Sequence, residues 1–140
     1  MEMKNYSTEI ILKFAEEGSM RYQIEERLVD FSVAIIDFCS SFPHGKISDY
    51  FSDQLSRASV SAALNYGEAQ GAESRKDFAH KLKISLKELR EALVCLKIIN
   101  KSSTFSKMSN GLKLQKEADE LVSIFVASVR KLQSNMKTEK

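Results

Sequence analysis

Two groups of residues in this chain have types and spacings that could do chemistry, and both lie between positions 54 and 101. The first is polar. Ser61, Asn65 and Glu68 stand at i, i+4 and i+7, and Glu88 and Glu91 at i and i+3. On helices each group shares a face, and a turn at 71–73 would fold the two faces toward each other inside a bundle. Carboxylates so placed raise two possibilities, a metal centre and acid/base work. A di-metal carboxylate centre needs Glu-x-x-His on each of two helices. The chain has only Asp77-x-x-His80, once, with His80 on the outward side, and His44 falls in a loop. Acid/base work would need a pocket or a nucleophile beside the pair, and no motif supplies one. The expected role of Ser61, Asn65, Glu68, Glu88 and Glu91 is therefore structural: an interhelical hydrogen-bond network that fixes register, with Arg57, Lys87 or Arg90 as partners. No catalytic residue, metal ligand or cofactor is expected, and the chain is not expected to be an enzyme.

The second group is a basic row. Lys76, Lys83, Lys87, Arg90, Lys97 and Lys101 follow helical spacing, with His80 and Val94 filling the gaps. The row is offset by two residues from the nearest apolar row, so it should face solvent, and it spans roughly 38 Å of helix. Six cations in line suit a phosphate backbone, although the outer face of any helix is commonly rich in lysine. Few aromatic residues interleave with them, so base stacking has little to work with. If nucleic acid binds here, recognition is expected through backbone and shape, with Lys113 and Lys116 as further contacts.

These groups need rigid elements to hold them, and the chain is written for helices. Only one proline and five glycines interrupt 140 residues. Residues 8–17 predict a short helix started by Thr8 and stopped by Gly18, with Ile10, Ile11 and Phe14 on its apolar side. Ile24, Leu28, Phe31, Ile35, Phe38 and Phe42 write a first long helix that ends at Pro43. A second runs from Ser48 to Gln70 on Phe51, Leu55, Ala58, Ala62, Asn65 and Ala69, with Gly71 placed for a left-handed cap. Ser74 and Asp77 form a capping-box pattern ahead of a third helix on Phe78, Leu82, Ser85, Leu89, Ala92, Leu96 and Ile99. A fourth, 105–134, carries Met108, Leu112, Ala118, Val122, Phe125, Val129 and Leu132, with Gly111 weakening its first turns.

Nothing alternates with period two long enough for a strand. The expected fold is all-α, an antiparallel up-down-up-down four-helix bundle over 21–134, preceded by an extension at 1–20 and followed by a frayed tail at 135–140. Ile36, Ile84, Leu86, Leu93, Ile98, Leu114, Leu121, Ile124 and Val126 add apolar surface beyond the principal rows, which predicts homo-oligomerisation.

Composition bounds the partners. Net charge is +2, too small for an argument from total charge. Its distribution is uneven: residues 1–50 carry five basic and nine acidic groups, a net −4, and residues 51–140 sixteen and ten, a net +6. Cys39 and Cys95 sit singly in apolar helical patterns and read as reduced, buried thiols. No apolar run reaches 18 residues, so no membrane contact is expected. Glu2, Glu9, Glu16 and Glu17 are wrong for a signal peptide. The expected location is the cytoplasm.

Residues 54–91 resemble the 23S ribosomal RNA intervening-sequence protein family. The positions that carry the resemblance are Gln54-Leu55, Ser61, Asn65, Glu68-Ala69, Ser74-Arg75-Lys76-Asp77-Phe78, and Leu86-Lys87-Glu88 followed by Glu91. Leu64, Gly67 and the segment 1–20 depart from the pattern. The resemblance implies a left-handed four-helix bundle, often a homopentamer, and genes sometimes lodged within intervening sequences of large ribosomal RNA genes. It also implies kinship with the basic accessory subunit of the reverse transcriptase of diversity-generating retroelements, though this chain is less basic. It does not imply an enzyme. The partners it suggests are further copies of the chain and structured RNA or a ribonucleoprotein, with a protein-interaction scaffold free of nucleic acid as the alternative.

Overall fold

Where the few helix-breaking residues fall decides most of the architecture. The computed structural model describes the backbone of residues 6–138 and the side chains of residues 23–138. Four long helices follow one another: α1 (Tyr6–Ser40), α2 (Lys46–Gln70), α3 (Arg75–Lys101) and α4 (Gly111–Thr138). A single 3₁₀ turn, Ser103–Phe105, sits between α3 and α4. No strand occurs among the described residues.

The α1–α2 connection is built around Pro43 and Gly45. Pro43 has no N–H to continue a helix, and α1 closes at Ser40, three residues earlier, with the Ser41 N–H donating to the Phe38 carbonyl at 3.2 Å. Gly45, at φ 146°, occupies a conformation open essentially to glycine alone. The capping pattern ahead of α3 is realised in part, since the Asp77 N–H donates to Ser74 Oγ at 3.0 Å.

Several helix ends differ in position or geometry from the sequence expectation. Gly18 does not stop a separate short helix: α1 runs unbroken from Tyr6. A lone glycine costs about 1 kcal/mol in a helix and does not end one without a neighbouring breaker. The apolar pattern at Ile10, Ile11 and Phe14 lies outside the described side chains, and residues 1–5 outside the described backbone. Gly71 closes α2 at φ −100°, ψ 14°, not in the left-handed region. Helix α4 begins at Gly111, six residues later than expected, after Asn110 at φ 70°. The intervening Phe105 is buried in the core from the 3₁₀ turn and not from α4. At the other end α4 continues to Thr138, since residues 131–138 contain no breaker.

The core is drawn from one row per helix: Leu28, Phe31, Ile35 and Phe38 on α1; Leu55, Ala58, Ala62 and Tyr66 on α2; Leu82, Leu89, Ala92 and Leu96 on α3; Leu114, Leu121, Phe125 and Val129 on α4. Phe38, Phe42, Phe51 and Phe105 interlock edge-on or tilted at the end where α1 meets α2, with the Phe42 and Phe105 centroids 4.8 Å apart. On α4, Ala118, Val122, Phe125 and Val129 are buried as the periodicity assigns them, but other positions differ. Leu112, assigned to the core, is 74 % exposed, whereas Leu114 and Leu121, assigned to an outer face, are buried. Leu93 is likewise a core residue.

Contacts between helices fix their register. Ser32 Oγ donates to the Ser59 carbonyl at 3.0 Å while Cys39 lies against Ser52, so numbers fall on α2 as they rise on α1. Ser85 Oγ donates to the Ala62 carbonyl at 2.9 Å and Lys81 Nζ to Glu68 Oε1 at 2.8 Å, the same relation between α2 and α3. Among the described residues the α2–α3 seam is the most extensive between helices and the α1–α4 seam the slightest. Arg27 spans the latter, its Nε 3.1 Å from Glu117 Oε2 and its Nη2 on Oε1. That hydrogen-bonded pairing, partly offset by desolvation, raises the guanidinium's pKa.

Candidate nucleic-acid interface

The polar group does not close into one network. Asn65 is half-buried, and its amide donates back along its own helix, to the Ser61 carbonyl at 2.9 Å and Ser61 Oγ at 3.2 Å. Glu68 is exposed and pairs with Lys81 across the seam. Because Ala62 faces Ser85, Glu88 and Glu91 lie about one and two turns farther from the 71–74 connection, beside Arg57 rather than Asn65. The spacing predicts that the turn folds the two faces onto each other; the register separates them. Glu88 is half-buried and Glu91 exposed. Burial pushes the Glu88 carboxyl up, and the neighbouring Glu91 adds charge repulsion and a shared hydrogen bond in the same sense, against smaller opposing effects of Lys87 and Arg57.

The groups that do bridge buried seams are serines. Ser32, Ser59 and Ser85 are buried, and Ser32 from α1 and Ser85 from α3 each donate to a carbonyl of α2. The Ser59 hydroxyl turns back to the Ser56 carbonyl at 3.3 Å. Their small side chains let the helices approach closely at Ala58 and Ala62, and the donated hydrogen bonds satisfy the polar atoms enclosed there. The signal in the sequence was a serine standing in an apolar row, legible for Ser85 and not for Ser32.

The basic row lies as its spacing suggests. Lys76, His80, Lys83, Lys87, Arg90, Lys97 and Lys101 are all exposed along α3. None of the six lysine and arginine residues enters an ion pair among the described residues, whereas nearby Arg57 is paired with Asp53 at 3.1 Å and Lys81 with Glu68. Lys113 and Lys116 lie elsewhere, lining the α1–α4 cleft beside Asp30, Asp37 and Glu120. His44 and His80 stand exposed and apart, and no three His, Cys, Asp or Glu side chains among the described residues gather as metal ligands.

A groove of about 830 Å³ runs between α2 and α3, floored by Phe51, Leu86, Val94 and Ile98. Lys83, Lys87 and Arg90 line it, and α2 contributes Tyr50, which is 58 % exposed, its ring edge-on to Phe51 at 5.2 Å. The aromatic residue that α3 lacks thus arrives from another helix, which spacing along α3 alone does not reveal. Cys95 also lines the groove and Cys39 packs at the α1–α2 seam; both are free thiols, pushed up in pKa chiefly by burial.

Helices, seams and basic face together define an all-α, four-helix protein. The family model of the 23S rRNA-intervening sequence protein matches residues 20–127, and the chain belongs to that family. Among solved structures, a protein of unknown function from the S23 ribosomal protein family of Bacteroides thetaiotaomicron VPI-5482 superposes with a TM-score of 0.70 at 22% sequence identity, covering 79% of this chain and 97% of that one. The likeness is one of fold. No curated protein matches the chain. No helix among the described residues is long and apolar enough to cross a membrane.

Proposed function

We propose that this protein is a non-catalytic, self-associating bundle of up-down-up-down, left-handed form that holds structured RNA or a ribonucleoprotein, in the cytoplasm, through the outer face of α3. The observation that carries the reading is the row Lys76, Lys83, Lys87, Arg90, Lys97 and Lys101, exposed along one face and unengaged by ion pairs among the described residues. An unpaired surface cation is held at little cost to the fold and is available to release counterions from a polyphosphate. Family membership is compatible with a ribosomal RNA setting and assigns no activity.

The experiment is a salt titration of binding to a structured RNA. If all six cations meet phosphates, log affinity should fall against log salt with a slope of about −4 to −5. Binding insensitive to salt, or none to several structured RNAs, would overturn the reading. Lys83→Glu with Arg90→Glu should weaken binding while leaving the melting temperature nearly unchanged.

A second reading, a protein-interaction scaffold, draws on a different observation. Val29, Val33 and Ile36 stand along α1 at 42 %, 53 % and 50 % exposure, an apolar strip of the kind that another polypeptide covers. In the first reading that strip belongs to self-association. A purified complex with one defined protein and no nucleic acid would favour the scaffold.

A further inference from the structure

The α2–α3 groove combines features that a phosphate-tracking surface does not require. We infer that it receives the base of an unpaired nucleotide, stacked against Tyr50, so that the RNA preferred by this face is a duplex interrupted by a bulge or loop. The inference rests on the RNA-binding reading above.

A tyrosine more than half exposed and propped edge-on by Phe51 is rigid apolar surface left open to solvent. Stacking on such a ring is open to every base, because every base has a π-face. The groove continues from Tyr50 past Val94 and Leu86 to Lys83. Measured along α3 from Lys83 to Ile98 this is about 22 Å, long enough for a short unpaired stretch. Gln54 and Glu91 line it too and provide the hydrogen-bonding groups of a base-edge contact.

Charge decides between nucleotide and peptide. An acidic amphipathic helix would also fit an apolar trough bordered by Lys83, Lys87 and Arg90. The cations, however, do not stop where the groove stops: Lys76 continues the row beyond one end, Lys97 flanks the other end, and Lys101 runs on past it. A row about 38 Å long with a base-sized recess partway along matches a polyphosphate chain that turns one unit inward. A perfectly paired helix offers no unstacked base, and its deep, narrow major groove hides base edges from side chains.

The test compares three labelled hairpins of identical stem with the full-length protein: one fully paired, one with a bulge of three adenosines, and one with that bulge made abasic. The bulged hairpin should bind about ten-fold more tightly than the other two. Tyr50→Ala should erase the difference and Tyr50→Phe should keep it, with circular dichroism confirming that both variants fold. Equal, salt-sensitive binding of all three hairpins would overturn the groove assignment and leave the backbone-binding reading standing. So would a bulge preference that survives Tyr50→Ala. If no hairpin binds, both fall, and binding of an acidic amphipathic peptide in their place would give the groove to a protein partner.

Discussion

At Glu88 the fold alters the protonation of a carboxyl. That group is half-buried at the α2–α3 seam, and burial, reinforced by Glu91, raises its pKa above the usual carboxylate value. The folded state therefore holds this proton more tightly than the unfolded chain does. The associated stability is fully present below the ordinary carboxylate range and is lost as pH rises through the raised value. Glu88→Gln removes that loss, so the variant should be more stable than the parent at neutral pH, with the gap closing under mild acid. Urea midpoints measured across the carboxylate range check this; parallel profiles for the two proteins would show that the Glu88 proton plays no part. The same residue illustrates what a linear pattern conceals. Glu88 and Glu91 were legible as neighbours on one face, but their distance from Asn65 depended on a register set by Ser85 and Ala62, which no one-dimensional spacing contains.

At the scale of the helices, the sequence read well wherever an apolar row was long and its ends carried breakers. The rows of α1 and α3 lie in the core nearly as the periodicity assigns them. Helix α4 was harder. Met108 and Leu112 imitate the start of an apolar row, and Gly111 looks like a flaw inside a helix. In the structure Gly111 is its buried first residue, and a Cβ there would stand 2.1 Å from Asn100 Oδ1. Asn100 in turn donates to the Gly111 carbonyl at 3.0 Å and to Gln115 Oε1 at 2.8 Å, tying the end of α3 to the start of α4. Among the described residues, a Cβ on Gly67, in the interior of α2, would meet nothing closer than Glu25 Oε1 at 4.0 Å. The two glycines should therefore respond oppositely to alanine. Gly67→Ala should stabilise by about 0.5–1 kcal/mol, through helix propensity and a less flexible unfolded chain. Gly111→Ala should destabilise by about 1–3 kcal/mol, by displacing Asn100 from its hydrogen bonds. Equilibrium urea unfolding resolves differences of this size, and a stabilised Gly111→Ala protein would contradict the packing described for that corner.

For the molecule as a whole, the excess of apolar residues was apparent in the sequence, but the sequence assigned much of it to the wrong places. Leu93, Leu114 and Leu121 complete the core, while Val29, Val33 and Ile36 remain outside it. The strip on α1 is the surface on which the proposed self-association depends. Val33→Asp would place a charge at its middle and should reduce the native mass to that of a single chain, with helix content unchanged. Native mass spectrometry or light scattering reads the outcome, and an unaltered mass would move the contact to another face. The placement of the two thiols has a practical consequence. With Cys39 replaced by serine, Cys95 becomes the sole point of attachment for a fluorophore within the recess between α2 and α3. Because enclosure discourages its ionisation, coupling will proceed best in alkaline buffer. The labelled protein then carries its own gauge of occupancy, a change in emission whenever something settles beside the dye.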